Sequence, residues 1–144
     1  MIFSKKCEYA LKAVIYIHIK TKNGSRLGIK ELAKEIESPE PFTAKILQEL
    51  VRAKFISSIK GPHGGFFIER MAQPRIVMEL IDLIDGKDSF TRCGLGLKEC
   101  SELHPCPIHN EFKGYSTRLK HLLMTKTLNE FAESVEKGDA FLSN

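Results

Sequence analysis

Residues 29–69 read IKELAKEIESPEPFTAKILQELVRAKFISSIKGPHGGFFIE, and the fold follows from this stretch. Ile29, Leu32, Ala33 and Ile36 recur at helical spacing and predict a short helix. Ser38-Pro39-Glu40-Pro41 breaks it. A second helix is expected from about Pro41 or Phe42, since proline suits a first helical turn. It carries Phe42, Ile46, Leu47, Leu50 and Val51 on one face, leaving Thr43, Ala44, Lys45, Gln48 and Arg52 on others. Short helix, tight break and helix make a helix-turn-helix. Phe55 to Lys60 then alternates like a strand, Gly61-Pro62-His63-Gly64-Gly65 turns, and Phe66 to Glu69 is a second strand. A glycine-rich hairpin directly after a helix-turn-helix reads as a wing. The second helix of such a pair enters the major groove by its N-terminal residues, so Thr43, Ala44, Lys45 and Gln48 are the expected DNA contacts. Lys60 and His63 at the wing tip join them, because glycines let the backbone come close to phosphates.

Working outward, a first helix is expected from about Lys5 to Lys20, capped by Ser4, with Cys7, Ala10, Leu11, Val14, Ile15 and His18 on its apolar face. Asn23-Gly24-Ser25 ends it. Past the wing, Ile76 to Asp85 reads as a helix stopped by Gly86. From about Pro107 the chain turns helical again. Ile108, Phe112, Tyr115, Leu119, Leu122 and Leu123 form an apolar seam, weakened locally by Gly114. Thr125 or Thr127 starts a last short helix with Leu128, Phe131 and Val135. The expected fold is mainly α with a small β wing. A winged helix-turn-helix DNA-binding domain spans 1–86, a cysteine-rich loop 87–109, and a dimerisation helix with a C-terminal short helix 110–144. A reader of this size gains useful affinity from two half-sites. A homodimer on double-stranded DNA is therefore expected.

The bulk properties agree. A chain of 144 residues with 42% hydrophobic content makes one domain, or a small domain with an appended dimer element, and is not disordered. Residues 1–70 hold 13 Lys/Arg against 7 Asp/Glu, whereas residues 71–144 hold 9 against 11. The basic half is the half expected to face phosphates. No apolar run is long enough to cross a bilayer, and charges interrupt the N-terminal apolar stretch, so neither a membrane span nor a signal peptide is expected. The expected location is cytoplasmic. No phosphate-cradling loop, nucleophile–base signature or metalloprotease motif appears, which argues against an enzyme; the alternative class to a DNA reader is a metal-stabilised interaction module without regulated DNA binding.

Between reader and dimer helix lies Arg92–His109, RCGLGLKECSELHPCPIH. It contains three of the four cysteines, Cys93, Cys100 and Cys106, with His109 three residues beyond the last. Its glycines and prolines make it a loop. In a reducing compartment, clustered cysteines more often mean metal or redox chemistry than a disulfide framework. Three chemistries fit: an iron–sulfur cluster on thiolates with one other ligand, structural zinc on Cys₃His, or a metal-free thiol switch. Zinc sites usually contain one closer cysteine pair than either interval here. Cys7, on an apolar helix face, reads as buried and inert. His109 has the right spacing for a ligand, whereas His104 lies between Leu103 and Pro105, and His18 belongs to a packed helix.

The segments SKKCEYALKA, PFTAKILQELVRAKFI, SSIKGPHGGFFI and VMELIDLIDG, followed by the three-cysteine loop, resemble the Rrf-type winged-helix transcriptional regulators over essentially the whole chain. The resemblance implies a homodimer whose crossing C-terminal helices bring two winged helices to a palindromic operator, and an iron–sulfur cluster on Cys93, Cys100 and Cys106 that senses cluster status, redox state or nitric oxide. For the fourth ligand it implies His109, as in the cluster-assembly branch, or Glu8 from the partner chain, as in the nitric-oxide-sensing branch. His109 is preferred because the same loop fixes its spacing, and Cys₃His fits a [2Fe-2S] centre better than a [4Fe-4S] one. The first cysteine interval is one residue longer than in those branches. Ala44 stands where the cluster-assembly branch has an acidic residue, so operator preference does not transfer.

Overall fold

The computed structural model describes residues 2–142. Its elements are α1 (Lys5–Lys20), α2 (Ile29–Glu35), α3 (Glu40–Arg52), β1 (Ser57–Ile59), β2 (Gly65–Phe67), α4 (Val77–Asp85), α5 (His109–Thr125) and α6 (Leu128–Glu136). This is the expected mainly α fold with a small β wing.

The helix α1 begins where its sequence says it should. The Ser4 hydroxyl accepts from the Cys7 N–H at 3.0 Å, satisfying one of the four orphan donors at a helix start. The helix is buried on a wider arc than one face, because Ala13 and Ile17 join Cys7, Ala10, Val14 and Ile15 in the core. The cause is packing: α3, α4 and α6 all lie against it.

The turn between α2 and α3 opens one residue before the proline-rich break. Glu37 sits at φ 54, and the Ser38 N–H donates back to the Ala33 carbonyl at 3.0 Å. A left-handed residue after the helix closes its last turn in this way. Pro39 is the N-cap of α3 and Pro41 sits in its first turn. The far end of α3 repeats the device with Lys54 at φ 64 and Phe55 N–H donating to the Leu50 carbonyl at 2.9 Å. Arg75 then caps it. Its guanidinium donates to the Ala53 and Lys54 carbonyls at 3.0 and 3.2 Å and stacks 3.9 Å from the Phe55 ring centroid.

The wing is antiparallel, with Ser57 opposite Phe67, Ser58 opposite Phe66 and Ile59 opposite Gly65. Its strands are shorter than the alternation predicted, since Phe55 and Ile56 turn into the core instead of extending the pairing. Leu27 compensates by bridging Phe66, exchanging hydrogen bonds of 2.9 and 2.8 Å. Gly64 is required at the tip, because a Cβ there would overlap the Ile59 carbonyl oxygen.

The C-terminal third divides. Leu123 of α5 is buried, and Leu119 packs against the core beside α4. Ile108, Tyr115 and Leu122, spaced by seven, remain exposed. Thr127 starts α6 with a capping box to Glu130. Although grouped with α5 on sequence, α6 returns to α1, burying Leu128 and Ala132. Backbone hydrogen bonds tie this return to the start of α4: Leu128 N–H to the Arg75 carbonyl and Val77 N–H to the Lys126 carbonyl, both 2.9 Å. Gly114 leaves α5 continuous. Among the described residues no helix is long and apolar enough to cross a membrane.

Candidate metal centre and nucleic-acid interface

The cysteine loop leaves α4 at Gly86 and enters α5 at His109. Its proline and glycine content prevents a continuous helix, so it folds back on the start of α5. Gly94 makes that contact possible, since a Cβ there would lie 2.8 Å from the Phe112 ring. The result brings together residues 13 apart in sequence. The ligand atoms of Cys93, Cys100 and Cys106 all lie within 4.8 Å of one another. The Cys93 and Cys106 sulfurs are 3.7 Å apart. They border a cavity of about 370 Å³, whose lining also includes Phe90, Arg92, Cys100, His109 and Phe112.

His109 stands beside this group without lying equally near all three thiols. Its Nδ1 is 3.2 Å from the Cys100 sulfur, and its Nε2 is 3.3 Å from Glu102 Oε1. Glu102 also pairs with Lys113. Sequence reading missed Glu102. The stretch Arg92–His109 holds two acids, Glu99 and Glu102, and nothing in their spacing singles out Glu102. Glu8 lies apart on α1, paired with Lys5 at 3.3 Å, and does not join the cysteine group of its own chain. Cys7 is fully buried, as expected; burial and the neighbouring Asp85 push its thiol up to about 12.

The three loop thiols are electrostatically unequal. Backbone N–H groups of Leu97 and Leu95, followed by the other two thiols, bring Cys93 down to about 7. At Cys100 the Cys106 N–H, 3.4 Å from the sulfur, favours the thiolate. Loss of solvent and the two neighbouring thiols outweigh it, so the Cys100 thiol is raised. Lys113, then His109, hold the Glu102 carboxyl below its usual range. Three converging sulfurs with an adjacent imidazole suit a thiophilic centre. An iron–sulfur cluster and a tetrahedral metal ion are both compatible with this donor chemistry.

The residues expected to contact DNA sort differently from the expectation. Lys45 and Gln48 are exposed on α3, Ala44 is half-buried, and Lys60 and His63 are exposed on the wing. Thr43 is a correction. It is 1% exposed, and its hydroxyl donates to the Pro39 carbonyl at 2.9 Å. Its side chain closes the first turn of α3 from inside and is not offered to bases. Phe42, expected inward, is 36% exposed and stacks edge-on with Tyr9 at 5.8 Å. Arg26 was also missed. It donates to the His63 carbonyl at 3.3 Å and lies over Phe67, placing a cation beside the wing tip.

Comparison with known proteins gives one consistent answer. The Rrf2 family model, described as iron-dependent transcriptional regulators, matches residues 3–134. A protein of Aquifex aeolicus, provisionally named an HTH-type transcriptional regulator, is 30% identical over 140 residues, covering 95% of each chain. The HTH-type transcriptional regulator IscR of Photorhabdus laumondii is 23% identical over 139 residues, covering 96% of this chain and 84% of its own. Among solved structures, CymR, the global cysteine regulator of B. subtilis, superposes with a TM-score of 0.67 at 19% identity, over 91% of this chain and 95% of its own. A helix-turn-helix with a wing, carried by these residues and matched across nearly the whole length, makes the chain a member of the Rrf2 family of transcriptional regulators.

Proposed function

We propose that this regulator works as a homodimer on a palindromic operator and that an iron–sulfur cluster, [2Fe-2S] in preference to [4Fe-4S], sets its affinity for DNA. The observation that carries this is the convergence of Cys93, Cys100 and Cys106 within 4.8 Å, with His109 Nδ1 against Cys100. These four residues would hold the group, with Glu8 of a second chain the alternative to His109. Bound there, the group supplies a redox- and nitric-oxide-sensitive link between the loop and α5.

The chain's own residues give that link a route to the reading head. Arg92, adjacent to Cys93, donates to the Asp85 carbonyl at 2.9 Å. The Asp85 carboxylate accepts from the Ser4 backbone N–H at 2.8 Å and from the Ser4 hydroxyl at the start of α1. Phe90 stacks on Phe3 at 6.1 Å. From α1, Lys6 pairs with Glu49 of α3 at 2.7 Å. A shift of the loop is thereby passed to the recognition helix through packed, bonded groups. A coupling of about 1–3 kcal/mol is typical of such linked sites. On α3 and the wing, Ala44, Lys45, Gln48, Lys60 and His63 meet the DNA, with Arg26 behind the wing tip.

The dimer is supported by Ile108 at the start of α5 with Tyr115 and Leu122 on it, an apolar stripe that the described residues do not cover. Such a stripe at heptad spacing suits a second α5.

The test is anaerobic purification with a visible spectrum and counts of iron and acid-labile sulfide. Equal iron and sulfide are expected, and Cys100→Ala is expected to lose both and to change operator affinity. A Cys100→Ala protein that binds its operator like the loaded wild type would remove the sensing role. The spectra of His109→Ala and Glu8→Ala choose the fourth ligand. A second reading, a metal-free thiol switch, is favoured by the 3.7 Å approach of Cys93 and Cys106. Protein that stays colourless after reconstitution, with a thiol pair that oxidises reversibly, selects it. Colourless protein containing zinc would select a structural site.

A further inference from the structure

We propose that Glu102 is a positioning residue that turns His109 toward the thiols and fixes which of its ring nitrogens is free to bind a metal. The inference rests on His109 being the fourth ligand. A carboxylate can only accept, so the 3.3 Å contact between Glu102 Oε1 and His109 Nε2 requires the hydrogen to be on Nε2. In the neutral imidazole this leaves a lone pair on Nδ1, the nitrogen 3.2 Å from the Cys100 sulfur.

The carboxylate is itself held. His109 and Lys113 are one turn apart on α5, hence on one face, and both grip the same oxygen of Glu102. His109 is also seated by its backbone N–H, which donates to the Cys106 carbonyl at 3.1 Å. The main chain of His109 is thus fixed by one bond and its ring by the other at Nε2, with the side chain 16% exposed while Glu102 is 63% exposed. Exposure of the carboxylate makes its substitution mild for folding. An outer hydrogen-bond partner of this kind changes metal affinity by about 10–100-fold in metal sites generally.

The experiment uses cobalt(II) alone as the probe, added to metal-free, reduced full-length protein and followed by its visible bands. Five proteins are titrated: wild type, Glu102→Leu, His109→Ala, the double variant, and Glu102→Gln as the conservative control. Glu102→Leu is expected to weaken cobalt binding about 10-fold or more when His109 is present and to have no further effect in the His109→Ala background. Glu102→Gln, whose amide oxygen still accepts from Nε2, is expected to keep most of the affinity. Sulfur-to-cobalt absorption should persist in all five. Equal losses from Glu102→Leu with and without His109, or no loss with it, overturn the positioning role. If His109→Ala leaves both cobalt affinity and the spectrum unchanged, His109 is not the ligand, and the inference falls with that assignment while the three-thiol site stands.

Discussion

Thr43 and Lys45 are two positions apart on α3, yet Thr43 is buried and bonded while Lys45 is exposed. Thr43→Ala is expected to lower the unfolding free energy by about 1–2 kcal/mol while leaving operator affinity of the folded protein intact. Lys45→Ala should do the reverse, weakening binding and reducing the salt slope by about 1. Denaturation and salt-dependent gel shifts on both variants check this together. His18 gives a pH signature. Burial, with Lys22 adding to it and Glu136 opposing it, lowers its pKa below the ordinary 6.5. The folded chain thus prefers neutral His18. This part of the stability is intact above 6.5 and declines as pH falls through that value toward the lower folded pKa. His18→Gln should remove this component from the stability–pH curve, and an unchanged curve would show that His18 is not its source.

At the scale of elements, two helices end on left-handed residues that are not glycine. Glu37 at φ 54 closes α2 where the helix-turn-helix turns. A side chain in that conformation costs free energy that glycine avoids. Glu37→Gly is therefore expected to stabilise the domain by about 0.5–1 kcal/mol, read from the denaturation midpoint. The turn was legible from Ser38-Pro39, but its true start was not, because glutamate carries no turn signal. Likewise the alternation through Phe55–Lys60 suggested a longer strand than β1. Phe55 and Ile56 gain more from entering the core than from pairing across the wing, so burial overrode the local pattern. The burial of Ala13 and Ile17 has the same origin: one sequence period describes one face, whereas α1 has neighbours on several sides.

For the molecule as a whole, α5 and α6 play opposite parts. Leu128 of α6 is 1% exposed against α1, so Leu128→Ala should cost about 2–5 kcal/mol by urea unfolding. Leu122 of α5 is 48% exposed. Leu122→Lys is accordingly expected to leave the fold intact and to shift sedimentation to the monomer. Operator affinity should drop by about 100-fold or more as the two half-sites cease to be read together. A dimer that survives Leu122→Lys and Tyr115→Lys combined would place the interface elsewhere.

By itself the sequence determined the helix-turn-helix, the wing, the cysteine loop and the order in which they occur. Those rest on local signals: apolar spacing, proline and glycine breaks, and thiol clustering. Tertiary structure alone decided which face of each element is spent inward. It turned Thr43 into the core, brought α6 back onto α1, and set Glu102 against His109. Each of these outcomes depends on a partner distant along the chain or on a competition for burial, and no local period records which partner wins.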